Sequence, residues 1–161
     1  MKNTILKYGV YAGLIILVMM LLSWFFFMPN LDYHSTERLG YVSMFLALSM
    51  IFFGLRAYRS EQGGLLSFRK GVQVGTLINL IPSTFMFVYT FFLFQLKGQE
   101  FMEWSMSAMS PEEAAAMEAQ LAQMPEWVQS PFFQGFVMFM TVFILGLIIT
   151  LISAGILRKT A

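Results

Sequence analysis

Four long apolar stretches dominate the chain, separated by short polar segments. A helix that crosses a bilayer needs about 20 mainly apolar residues, because each residue rises about 1.5 Å through a hydrocarbon core about 30 Å thick. The first stretch, about 7–28, lies between Lys7 and Asp32 and ends at Pro29, whose missing N–H stops a helix. The second, about 39–59, has a charge-free window of only 17 residues between Arg38 and Arg56. Arg56 is therefore expected to snorkel to the headgroups. The third covers about 68–96 and the fourth about 132–157. These runs are continuous and long, unlike the short alternating strands of a membrane barrel. The first ends in Trp24-Phe25-Phe26-Phe27, not in the small residues of a cleavage site, so an uncleaved anchor is expected. The predicted fold is an all-α integral membrane bundle of four helices, a single domain over 1–161.

The polar remainder divides into loops at about 29–39, 60–67 and 97–131. Gly63-Gly64 marks a turn in the second. In the third, Ser110-Pro111-Glu112-Glu113 has the form of a capping box with proline at the first helical position. A short amphipathic helix should follow and stop before Pro125. Met117, Leu121 and Met124 would share its apolar side, facing the bilayer or neighbouring loops.

Small residues mark where membrane helices approach, since lipid tails are as apolar as leucine and association relies on close contact. Gly9 and Gly13 form a GxxxG in the first span, with Ser23 on the same side. The second aligns Gly40, Ser43, Ala47 and Gly54. The third opens with Gly71 and Gly75, and the fourth groups Gly146, Thr150 and Ser153. At about 100° per residue, Gln73, Thr76, Asn79, Ser83 and Thr90 fall on one face of the third span. That face either hydrogen-bonds neighbouring helices or lines a solute path. Pro82 is expected to kink the same helix.

Composition sharpens the membrane reading. The chain is 58% hydrophobic and 12% charged, with mean hydropathy +0.68, against about a quarter charged in soluble domains. The net charge of +1 hides an asymmetry. Four crossings place Lys2, Lys7, Arg56, Arg59, Arg69, Lys70, Arg158 and Lys159 on one side, leaving only Arg38 and Lys97 on the other. Cytoplasmic loops are rich in Lys and Arg, so both termini are expected in the cytoplasm, with loop 97–131 on the opposite side of the membrane. Glu61 is the one acid expected inside. Arg56, Arg59, Arg69 and Lys70, with Tyr58 and Phe68 as interfacial anchors, are candidates for contact with lipid headgroups.

Reactive chemistry finds little support. The chain has no cysteine, which excludes disulfides and thiol nucleophiles. No motif of a zinc or serine hydrolase occurs, and between their charged ends the apolar spans contain no Asp, Glu, Lys, Arg or His of the kind used by pumps and proton relays. His34, the single histidine, lies between Asp32 and Glu37 in what reads as a turn. Met102, Met106 and Met109 raise copper(I), but thioethers alone make a weak site, and an amphipathic surface segment suits them better. No cofactor is expected, and no basic tract with interleaved aromatics points to nucleic acid.

The segment Ile51-Phe-Phe-Gly54-Leu-Arg56-Ala-Tyr58-Arg59, then Gly63-Gly64, Leu66-Ser67-Phe68 and Gly71-Val-Gln-Val-Gly75, resembles a bacterial membrane family of unknown function, DUF4199, found mostly in Bacteroidetes. The family shows Gly-x-x-x-Tyr-Arg at the end of the second helix, then Gly-Gly, an Ile-Ser-Phe-like element and a helix opening in small residues. The resemblance is close over 51–75 and loose over the rest. Here Ser60 follows Arg59 where an acid is frequent, and Gly71 stands where alanine is common. The resemblance implies a four-span membrane fold and no catalytic residues. The expected role is that of a non-enzymatic protein contacting lipids, and a membrane or periplasmic protein through loop 97–131. The alternative is a small transporter or channel for a neutral or weakly polar solute, lined by the third span.

Overall fold

The structure, a computed structural model, describes residues 1–27 and 30–159. Five α-helices account for most of it: α1 Lys2–Leu22, α2 Tyr33–Glu61, α3 Phe68–Ser107, α4 Pro111–Gln123 and α5 Pro131–Leu157. A π-helical turn, Ser23–Phe27, extends α1, and a 3-10 turn, Glu126–Gln129, precedes α5. The stop expected at Pro29 lies outside the described residues. Four of the helices are long and apolar enough to cross a membrane. Large apolar side chains point outward along all four, among them Val18, Leu46, Phe92 and Ile148. An outer surface of this kind is stable in lipid and costly in water.

The bundle is built around α3, which packs most extensively on α5 and then on α1. α2 touches α1, α5 and α3, whereas α1 and α5 do not meet. Thus α1 and α5 occupy opposite corners, and α2 and α3 meet across the centre. The core is formed by Leu48, Ile51 and Leu55 of α2, Val74 and Ile78 of α3, and Val142 of α5.

Small residues set these approaches. At Gly9 an added Cβ would lie 2.4 Å from Ile81 Cδ1 and 3.1 Å from the Ile78 carbonyl oxygen. That carbonyl lies four residues before Pro82, which has no N–H to offer it, and the glycine lets α1 close over this turn. Gly13 meets the Phe85 ring in the same way. On the other flank Gly71 faces Ala154, and Gly75 faces Thr150. Both GxxxG pairs therefore lie at helix contacts. Gly40 does not: nothing lies within 4 Å of its added Cβ. It shares the small stripe of α2 without marking a contact, although Thr36 and Ser43, about one turn to either side, are buried.

The break in α3 also differs from expectation. Its dihedrals stay helical through Pro82 and leave the helical region at Lys97 (φ −137°, ψ 16°). The predicted span end at residue 96 thus coincides with the real break. Beyond it the chain continues as helix to Ser107, so the segment expected as loop 97–131 is mostly helical. α4 starts as its sequence dictates. Glu113 N–H donates to Ser110 Oγ (3.4 Å), and Ser110 N–H donates to Glu113 Oε2 (3.1 Å). Its apolar side is only partly covered, and none of its residues is buried.

Two clamps join elements distant in sequence. At the end bearing both termini, Leu66 and Lys159 pair as an antiparallel bridge, with N···O distances of 2.8 and 2.9 Å. At the opposite end, His34 Nε2 lies 3.2 Å from Glu113 Oε1, joining the start of α2 to the start of α4.

Candidate functional site

Three places collect the polar groups that the sequence singled out. The first is the polar face of α3. It does not form one surface. Gln73 is exposed and bonded to Lys70 (3.1 Å), Thr76 is half-buried, and Asn79, Ser83 and Thr90 are buried. Asn79 Nδ2 donates to the Phe143 carbonyl of α5 at 2.8 Å, and Ser83 Oγ donates to the Asn79 carbonyl at 2.9 Å. The Asn79 amide fills a notch at Gly146, where an added Cβ would fall 1.9 Å from Oδ1. Helical periodicity identified the face. The notch was not legible, because it requires the register between α3 and α5. Two buried oxygens here, Asn79 Oδ1 and Thr150 Oγ1, have no hydrogen-bond partner among the described residues. An unpaired buried polar atom carries a desolvation cost of about 1–3 kcal/mol.

The second place is the basic end of the bundle. Of the five residues proposed for headgroup contact, Arg56 is exposed on α2 and Tyr58 is buried. Arg59 is turned inward, donating from Nε to the Gly64 carbonyl (2.9 Å). Gly64 N–H in turn donates to the Arg59 carbonyl (3.0 Å). This double contact needs the left-handed backbone at Gly63 (φ 66°) and Gly64 (φ 87°), which glycine adopts without steric cost. Arg69 and Lys70 stand in the first turn of α3, capped by Ser67. They line two adjoining clefts of about 400 and 470 Å³, which share Ser67 and Lys70. Tyr58 and Lys159 enter the first cleft, and Arg69 and Gln73 the second. Sequence reasoning missed Lys159 as a member, since the bridge to Leu66 joins residues far apart in the chain. Glu61, the lone acid of this end, is occupied by Thr4, whose Oγ1 donates to Oε1 at 2.6 Å.

The third place is the cap opposite. Tyr33 packs beside Trp104 at 6.0 Å between ring centroids, and Phe101 lies 5.9 Å from Trp104. His34 sits between Glu113 and, at 4.0 Å, Glu37. Among the described residues no group of three His, Cys, Asp or Glu side chains is arranged to hold a metal ion. Hydrogen bonds from the Ser110 hydroxyl and backbone N–H lower the pKa of Glu113, with His34 contributing further. A lowered folded-state pKa supplies stability above the unfolded value, here 4.5, that is lost as pH falls through the folded one. Amide protection in the first turn of α4 is therefore expected to fall below about pH 4.5 while the apolar helices keep theirs. Hydrogen exchange between about pH 7 and about pH 3 measures this. Glu113→Gln, which preserves the capping geometry without a titrating group, should flatten the response.

An outward-facing apolar groove of about 600 Å³ runs between α1 and α3, from Leu17 and Phe85 to Trp24 and Lys97. Lys97 Nζ stands 5.8 Å above the Trp24 ring. Its lining, apolar apart from Thr84, Tyr89 and Lys97, suits acyl chains.

This architecture defines a multi-pass α-helical membrane protein in which the buried Asn79 amide of α3 bonds the neighbouring α5. The chain belongs to the family described as Protein of unknown function (DUF4199), whose profile matches residues 7–159. Comparison with curated proteins and with solved structures found no match.

Proposed function

We propose that the chain is a non-enzymatic bundle of the bacterial inner membrane, with both termini cytoplasmic, that acts through contacts at its two ends. One observation carries this reading. The polar side chain at the middle of α3 is spent on α5: Asn79 occupies the Gly146 notch and bonds the Phe143 carbonyl. With the Asn79 amide nitrogen committed to α5, the charged groups that remain for contacts lie at the two ends of the bundle. The basic end faces anionic lipid, in keeping with the eight cations gathered there. The cap, formed by residues 98–129 and carrying Glu103, Glu112, Glu118 and Glu126, faces the periplasm and offers a docking surface for a protein partner.

The test is photo-crosslinking in living cells from Glu118 and Trp127, both exposed. The reading expects a discrete adduct from these positions and none from lipid-facing Ile148. Absence of any adduct, together with normal cell behaviour after the cap is shortened, would remove the protein-docking part.

The competing reading, a path for a small neutral solute along α3, draws on the two unpartnered oxygens of Asn79 and Thr150. Solvent access to these positions separates the two.

A further inference from the structure

We infer that the cleft between the end of α2, the 62–67 turn and Lys159 is a binding site for the phosphate group of an anionic lipid. This deepens the lipid-contact part of the proposed function and rests on it.

The charge pattern is the first argument. Helix starts favour acidic side chains, because the dipole is positive there. The first turn of α3 instead carries Arg69 and Lys70 and no acid. The Leu66–Lys159 bridge brings a third cation to the same place. Among the described residues no carboxylate lines either cleft. Arg69 and Lys159 make no ion pair among the described residues, and Lys70 holds only the neutral Gln73. Three cations beside the positive end of a long helix repel one another, and an anion seated among them relieves the repulsion.

The second argument is independent of charge. Tyr58 lines the cleft and is only 4% exposed, yet its hydroxyl has no hydrogen-bond partner among the described residues. That hydroxyl is not among the enclosed unpartnered oxygens of the described residues, so it opens onto the cleft and is free to donate to a ligand seated there. A phosphate oxygen in the cleft would accept from it, with Lys70 and Lys159 supplying charge-assisted donors. The walls are already fixed. The Arg59–Gly64 pair holds the turn, and two backbone hydrogen bonds hold Lys159.

The third argument identifies the source of the phosphate. Leu65, on the rim, and Phe68, which opens α3 beside it, are large, apolar and exposed. Side chains of this kind belong at the boundary between headgroups and acyl chains, whereas the mouth of a site for free phosphate has no use for them.

The test uses the purified full chain in mild detergent and reads the thermal unfolding midpoint as lipid is added. Phosphatidylglycerol should raise the midpoint saturably, and phosphatidylcholine should not. Inorganic phosphate at millimolar concentration should neither reproduce nor compete with the effect. Arg69→Ala and Lys159→Ala should each weaken the apparent affinity by about fivefold, the share of one interfacial cation. Tyr58→Phe, which keeps the packing and removes only the hydroxyl, should weaken it as well. Arg38→Ala, at the opposite end of α2, is the control and should change nothing. Equal responses in wild type and the cleft variants, an equal response to phosphatidylcholine, or displacement by inorganic phosphate would each overturn the assignment. None of these outcomes bears on the interior contact at Asn79 or on the cap crosslinks, so failure here is distinguishable from failure of the broader reading.

Discussion

Alanine at position 146 is expected to cost about 1–3 kcal/mol of stability, the usual range for overpacking a tight interior, and leucine there to prevent assembly of α5 on α3. The reason is geometric. The new Cβ would sit 1.9 Å from Asn79 Oδ1 and 2.2 Å from its Cγ, so the amide must leave the notch. Leaving breaks the 2.8 Å bond to the Phe143 carbonyl, a contact worth about 1 kcal/mol in a membrane interior. Steric crowding therefore costs more than the lost hydrogen bond. Asn79→Ala alone should be milder, since it loses one hydrogen bond but also removes an unpartnered oxygen. Combined, the two substitutions move a small side chain from one helix to the other and should recover most of the loss. Equilibrium unfolding in mixed micelles across the four-member cycle measures the coupling. Gly40→Ala, which meets no atom within 4 Å, is the matched control and should lie within experimental error of wild type.

The second large effect is expected at Gly75. An added Cβ there lies 2.5 Å from Thr150 Cγ2 and 3.2 Å from Thr150 Cβ. Threonine is branched at Cβ, and its Cγ2, Oγ1 and Cβ all lie within 3.2 Å of the added atom, so rotation about χ1 exchanges one close contact for another. Gly75→Ala should cost about 1–3 kcal/mol, again by overpacking. Thr150→Ala introduced with it should restore more than half, because it removes both the obstructing methyl and a hydroxyl that has no partner. Gly54 supplies the contrast. Its added Cβ meets Ile78 Cδ1 at 2.6 Å, the far end of a longer side chain, while Tyr8 Cβ at 3.1 Å need give by only a few tenths of an ångström. A smaller loss at Gly54 than at Gly75, measured by the same unfolding assay, would show that stiffness of the neighbour decides the cost. Equal losses would refute that.

Much of this architecture is legible in the chain because the bilayer imposes it. Length and apolarity locate four helices, and small residues locate the sides on which α1 meets α3 and α3 meets α5. The α4 start is equally plain, since Ser110, Pro111 and Glu113 act on close neighbours in the chain. What escaped depends on relations between distant residues. Gly40 belongs to the right stripe, but no neighbouring side chain comes within 4 Å of where its Cβ would stand. Pro82 is accommodated by helical dihedrals, while the break falls at Lys97, where the helix passes into the cap. Helix 98–107 was hidden because its mixture of Phe101, Met102 and Trp104 with Glu100 and Glu103 fits neither a spanning helix nor a soluble one. Of the candidate sites, the sequence names the cations of the basic end but not their grouping. Arg59 is diverted to the Gly64 carbonyl, and Lys159 arrives through a backbone bridge. The polar face of α3 was visible as a choice between packing and passage. The Asn79 notch weighs toward packing, through an approach that no periodicity encodes.

Whether α3 packs or conducts can be read from solvent access to its polar face. The chain has no native cysteine, so single cysteines can be introduced without background. Membrane vesicles carrying Gln73→Cys, Asn79→Cys or Ser83→Cys would be treated with a small membrane-impermeant thiol reagent from either side. A closed bundle predicts rapid modification at position 73 from the basic face alone, and none at 79 or 83 from either face. Modification at 79 and 83 at rates comparable to 73 would mean that water reaches the middle of the bundle, and the packed interior described here would be wrong.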